Sequence, residues 1–225
     1  SVVQWATNHN IYLIISMRQS PGGHNSSPHS GNGGLNELWY KTNYQQRISA
    51  LWRKIAERYV NEPIVAGYDI LNEPEAPDSI SFSSVYQSII DSIRTVDTNH
   101  IIFLEGNLWA QYTDWIDPDL DTNLVLSIHY YLPSNYAVDG SGTYPNPGIG
   151  FTKNALSIAL QGRINHAQSL NLPCYVGEFG AMTSAIGHLI YDEDLISIMD
   201  SLSLSWNYYN YKNIKGATNT QAFYY

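Results

Sequence analysis

Ile64-Val65-Ala66-Gly67-Tyr68-Asp69-Ile70-Leu71-Asn72-Glu73-Pro74 runs from a β-branched apolar stretch into an abrupt polar end closed by a proline. A strand of a parallel sheet, covered on both faces, reads as a near-continuous apolar run, and proline ends the ladder. Five further runs share this character, at 11–17, 100–105, 123–129, 173–178 and 203–209. Amphipathic stretches lie between most of them. The clearest, Tyr44 to Tyr59, places Ile48, Leu51, Trp52, Ile55, Ala56 and Tyr59 on one helical face, with Thr42 and Gln45 as a candidate capping box. A second runs from Val85 to Val96, with Ser84 and Gln87 as its capping pair, and a third over about 153–169. The first residues, Val2 to Asn8, also read as helix. This alternation predicts βα units around a parallel sheet.

The chain has 225 residues, enough for one large domain with its own core, and no linker, internal repeat or low-complexity tail divides it. A single cysteine, Cys174, excludes an internal disulfide and any zinc ribbon or CxxC redox site. Eleven basic against twenty acidic residues give a formal charge of −9 with no basic run, which argues against a nucleic-acid partner. Apolar runs are far shorter than the roughly 20 residues that span a bilayer, so no membrane segment is expected. Charged residues make up only 14% of the chain, against about 25% in an average domain, whereas Tyr (18) and Trp (6) are abundant. Such side chains suit sugar binding, and they also serve core packing.

Glu73, just after Asp69-Ile70-Leu71-Asn72, and Glu178, after Tyr175-Val176-Gly177, stand at strand ends, at the edge where a parallel sheet builds its site. About three βα units separate them, at roughly 30 residues each, which in a closed barrel sets them across the mouth from one another. Retaining glycoside hydrolysis uses such a pair, one carboxyl as proton donor and the other as nucleophile. The alternative for either glutamate is a strand-end cap paired with Lys or Arg. Long Gly/Pro/Ser/Asn-rich loops, Pro21 to Gly34 and Leu132 to Gly150, fall where α/β proteins place binding groups.

Asn72-Glu73-Pro74, His129-Tyr130-Tyr131 and Gly177-Glu178-Phe179-Gly180, each closing an apolar strand and in this order, closely resemble the signature segments of glycoside hydrolase family 5, the cellulase-like family. The likeness extends from about Tyr12 to Asn213. It includes Leu51 to Tyr59 before the second strand run and Asp97-Thr98-Asn99-His100-Ile101-Ile102 before the third. The resemblance implies a partial TIM-type (β/α) barrel of about six strands, corresponding to the family's third through eighth units. It implies Glu73 as general acid/base and Glu178 as nucleophile, with Asn72 on the sugar's 2-hydroxyl. His129 and Tyr131 would flank the pair, the tyrosine orienting Glu178 and the imidazole reaching Glu73. The family's sugar-stacking tryptophan near the last strand corresponds to Trp206, although Tyr209 stands closer by spacing. Trp39 and Trp109, in loops after strands, are further stacking candidates, with core packing as the alternative for each. The implied activity is endo-acting hydrolysis of β-1,4-glucan, without a cofactor; β-mannan hydrolysis, or sugar binding without catalysis, are the alternatives. Action on a polymer outside the cell implies secretion.

Relative to the family pattern two βα units are missing at the start, and with them an arginine near the nucleophile. Arg18 is the candidate replacement, and His24 or His29 could reach the site from the loop. The missing units would leave open sheet edges, which natural proteins rarely tolerate. A smaller closed barrel, a homo-oligomer that covers the edges, and a longer parent chain are the three expectations; a strictly monomeric mass in light scattering with a sharp melt counts against the oligomer. His24 and His29 lack a third partner at a metal-ligand spacing, so no metal site is expected. Asn25-Ser26-Ser27 is a glycosylation sequon.

Overall fold

The structure, a computed structural model, describes residues 1–210. Six strands, β1 (Leu13–Ser16), β2 (Val65–Asp69), β3 (Ile101–Glu105), β4 (Leu124–Tyr130), β5 (Cys174–Phe179) and β6 (Ser205–Trp206), form one sheet in sequential order. The main helices are α1 (Val2–His9), α2 (Thr42–Tyr59), α3 (Ser79–Arg94), α4 (Lys153–Ser169) and α5 (His188–Ser201). Neighbouring strands pair in parallel from β1 through β4, and again between β5 and β6. Sequential parallel order with intervening helices is the topology of an incomplete (β/α) barrel. The chain divides into two compact units, Ser1–Ser127 and the part from Ile128 onward, and β4 runs through the boundary.

In the first unit the 3.6-residue stripe predicted for α2 buries Ile48, Trp52 and Ala56, and α3 buries Phe82, Tyr86, Ile89 and Ile93. The two helices pack on each other, with the Ser49 and Ser88 hydroxyls 3.0 Å apart. Gly67 in β2 is required by close approach, because a Cβ there would lie 2.2 Å from the Ile101 carbonyl oxygen of β3. Each helix also spends an aromatic polar tip on the end of a strand. Trp52 Nε1 donates to the Ile70 carbonyl (2.9 Å), and the Tyr86 hydroxyl donates to that of Glu105 (2.8 Å). Bonds of this kind satisfy strand-end carbonyls that the ladder leaves open.

Two expected helix starts are corrected. No side chain caps α2: its N-cap is Lys41, and Gln45 donates to the Leu38 and Trp39 carbonyls instead of closing a box with Thr42. Helix α3 begins six residues before Val85, capped by Asp78, whose Oδ1 accepts the Ser81 N–H at 2.7 Å. The apolar face extends back to Phe82, so Ser84 and Gln87 lie inside the helix. Helix α4 matches its expected span, with Thr152 as cap.

Where the chain enters β3, Asp97 gathers four donors. Tyr68 OH reaches Oδ2 at 2.7 Å and His100 Nδ1 the same oxygen at 2.6 Å; the backbone N–H groups of Asn99 and His100 take Oδ1. Burial opposes its ionisation, yet these hydrogen bonds outweigh burial and hold the carboxyl below its ordinary value. A carboxyl depressed in the folded state adds stability above its ordinary titration range and loses it as pH falls. Asp97→Ala leaves several buried donors unpaired and is expected to cost about 3 kcal/mol near neutral pH, or roughly 6–12 °C in Tm. The loss should shrink in a melt series toward pH 3.

Candidate active site

Glu73 stands four residues beyond the end of β2, on a backbone turned to φ 54°. Its carboxylate Oε2 lies 3.5 Å from His29 Nε2. The residue before it, Asn72, is fully buried, and Arg18 Nη1 donates to its Oδ1 at 2.7 Å. Arg18 therefore acts first on the asparagine that the resemblance assigns to the sugar 2-hydroxyl. His24 donates from Nε2 to the Asn72 carbonyl, and its Nδ1 accepts from Ser20 Oγ at 3.0 Å. Burial pushes the imidazole down to about 4, against the hydrogen bond to Asn72, so the ring is neutral. With both nitrogens engaged, His24 has no lone pair for a metal.

The second unit carries Glu178 near the end of β5, buried. Tyr131 OH donates to Glu178 Oε2 at 2.9 Å, and His129 Nδ1 lies 3.6 Å from the same oxygen. The orienting contact expected of the tyrosine is thus present. Following β5, Gly180 adopts φ 144°, and a Cβ there would come within 3.0 Å of the Tyr209 carbonyl. Tyr209 in turn donates its N–H to the Phe179 carbonyl at 3.0 Å. Trp206 packs its ring edge-on to Phe179 and donates Nε1 to Asp200 Oδ1 at 3.0 Å.

The remaining tryptophans separate by exposure. Trp39 is a correction: it is 4% exposed, stacks on Phe82 and donates Nε1 to the His24 carbonyl and Asn36 Oδ1, so it is core and no sugar platform. Trp109 is 41% exposed on a turn after β3, where Leu108, Trp109 and Ala110 all take positive φ. Three consecutive left-handed residues are costly, roughly 1–2 kcal/mol each, and such strain marks functional segments. The Asn25 sequon is also corrected: the side chain is buried and its Nδ2 donates to the Glu73 carbonyl, so a glycan has no access.

Sequence reading missed Glu105 and Asp192. Glu105 is the last residue of β3, so the run 100–105 ends in a glutamate just as 173–178 does, which is the signal that could have found it; its Oε2 accepts the Glu73 N–H at 2.7 Å. Asp192 is a buried carboxyl on α5 that accepts from Tyr208 OH at 2.9 Å, and no spacing rule points to it.

Residues 1–215 match the family model of Cellulase (glycosyl hydrolase family 5). The chain belongs to glycosyl hydrolase family 5. Among the chain's relatives, a β-xylosidase of Phanerodontia chrysosporium is 27% identical over 95% of this chain and 47% of its own length. Endoglucanase C of Acetivibrio thermocellus is 24% identical over 94% of the chain and 71% of the relative. The chain thus spans about half of the first relative and under three-quarters of the second. Endoglucanase Cel5A of Thermotoga maritima superposes with a TM-score of 0.74 at 20% identity, covering 94% of this chain and 82% of that one. The likeness gives this family 5 chain its fold: six parallel strands with flanking helices, part of a (β/α) barrel.

Proposed function

We propose that the chain is a retaining, endo-acting hydrolase of β-1,4-linked glucan, with Glu178 as nucleophile and Glu73 as acid/base. The observation that carries the reading is the Tyr131 hydroxyl bonded to Glu178 at the end of β5, which orients one carboxylate oxygen in a buried setting. A pre-oriented nucleophile removes much of the entropic barrier to attack. Membership of family 5 and relatives named endoglucanase support the substrate class.

In the first step a Glu178 oxygen attacks the anomeric carbon while the bond to the leaving sugar breaks, and Glu73 gives its proton to the departing oxygen. In the second, the Glu73 carboxylate takes a proton from water, whose oxygen displaces Glu178 and restores the β configuration. Asn72, fixed by Arg18, holds the 2-hydroxyl, a contact that strengthens as the ring flattens. The exposed Trp109 ring offers an apolar face to a sugar. Polymer hydrolysis places the protein's work outside the cell.

Reducing-end release from carboxymethylcellulose, with β-1,4-mannan and an aryl β-xyloside in parallel, tests substrate class, and proton NMR of the first product tests stereochemistry. The expected result is release from the glucan with the β-anomer appearing first. An initial α-anomer overturns the two-step route. No release from any of the three, with glycan binding retained, overturns the hydrolase reading in favour of a sugar-binding protein.

A further inference from the structure

Glu73 holds a left-handed backbone, φ 54°, that an ordinary side chain adopts only where its surroundings over-determine it. In the Ser1–Ser127 unit those surroundings are three side chains from two segments. The carbonyl of Asn72 accepts from His24 Nε2. The N–H of Glu73 donates to Glu105 Oε2 at 2.7 Å. The carbonyl of Glu73 accepts from Asn25 Nδ2, also at 2.7 Å. Pro74 has no N–H to place. Every hydrogen-bonding group of the two peptides that flank the Glu73 α-carbon is therefore engaged by a buried side chain.

We propose that Glu105 is a positioning residue for Glu73, fixing the direction of its side chain through the backbone N–H, with Asn25 and His24 completing the clamp. The proposal rests on the reading of Glu73 as acid/base. A carboxylate suits the role because a charge-assisted hydrogen bond is shorter and roughly twice as strong as a neutral one. Glu105 is itself anchored, since its carbonyl accepts from Tyr86 OH of α3 at 2.8 Å. The acid/base of a glycosidase must meet the glycosidic oxygen within a fraction of an ångström, and a misplacement of about 1 Å costs on the order of 100-fold.

The test compares Glu105→Leu, which removes the acceptor, with Glu105→Gln, which keeps one, on two leaving groups. A cello-oligosaccharide needs a proton from Glu73, whereas 2,4-dinitrophenyl β-cellobioside leaves without one. Glu105→Leu is expected to lose on the order of 100-fold in kcat/KM on the oligosaccharide and only a few-fold on the activated glycoside, and Glu105→Gln to recover most of the loss. Asn25→Ala, at the other end of the clamp, should show the same split with a smaller loss and serves if Glu105→Leu does not fold. Equal losses on both substrates would mean a merely structural residue and overturn the proposal. Independently of activity, the Glu73 amide proton in a 1H–15N spectrum should lie far downfield in the parent and move upfield in Glu105→Leu; an unmoved resonance overturns the clamp. A parent inactive on both substrates defeats the functional reading, while the amide shift still decides whether Glu105 holds Glu73.

Discussion

Glu178→Gln should reduce turnover of β-1,4-glucan by at least about four orders of magnitude, some 5–6 kcal/mol of transition-state stabilisation. The neutral amide keeps an oxygen for Tyr131 to donate to, so the fold is expected to survive, but the covalent route closes for want of a nucleophile. The shorter variants assign the two glutamates separately by stereochemistry. In Glu178→Ala, azide can enter the space left on the face opposite the leaving group, and a single displacement on an activated β-glycoside gives the α-glycosyl azide. In Glu73→Ala, the glycosyl-enzyme still forms from an activated substrate, and azide then opens it from the other face to give the β-glycosyl azide. Product NMR reads both. The same anomer from both variants, or full activity in Glu178→Ala, would remove Glu178 from the role of nucleophile.

The strands were legible because each is a β-branched run with a polar end, a pattern that both-face burial imposes. The boundary of β6 was not. The run 203–209 shortens to Ser205–Trp206 because Ser203 turns to φ 54°, and beyond Trp206 the regular ladder gives way to separate contacts with β5, the N–H groups of Asn207 and Tyr209 on the Val176 and Phe179 carbonyls and the Tyr208 ring on Phe179. Helix α5 showed no clear apolar stripe, since its inward face includes the carboxyl of Asp192 beside Tyr191 and Leu195. Helix caps failed for a simpler reason: a Ser/Thr followed three residues later by Gln occurs by chance, and only the extent of the buried face decides which candidate stands at the start.

For the candidate site, the strand-end position made Glu73 and Glu178 legible, whereas their supporting residues come from distant loops. Asn25 read as a sequon and is a ligand of the Glu73 carbonyl; Trp39 read as a platform and is core. The abundance of tyrosine has a structural explanation as well. Tyr86, Tyr130, Tyr136 and Tyr191 are buried, and each sends its hydroxyl to a backbone carbonyl, of Glu105, Leu156, Ile186 and Leu132 respectively. With few charged residues available, the fold uses phenols to satisfy carbonyls at a strand end, in loops and in the first turn of α4. Part of the composition signal that suggested sugar binding is this packing role.

Asp192 gives the second large effect, and its sign follows from burial. The side chain is 2% exposed, and burial raises its carboxyl to about 7, although the Tyr208 hydroxyl and the Ala181 N–H favour the ionised form. Around it in the same unit stand the phenols of Tyr136, Tyr191 and Tyr208, and among the described residues no cation is one of the groups that shift it. Between its ordinary value near 4 and about 7 the folded chain keeps a proton that the unfolded chain has released, so this residue's contribution to stability falls as pH rises through that window and levels off above it. Three pKa units correspond to an upper figure of about 4 kcal/mol. Asp192→Asn retains an oxygen for Tyr208 and cannot ionise. Any cost from its extra amide hydrogens is the same at every pH and cancels when two pH values are compared. The variant should therefore gain roughly 2–4 kcal/mol on the parent between pH 4 and pH 8, read as a relative rise of about 5–15 °C in Tm. A difference in Tm between variant and parent that stays constant from pH 4 to pH 8 would show that Asp192 releases its proton in the folded chain as readily as in the unfolded one, and the buried proton would have to be abandoned.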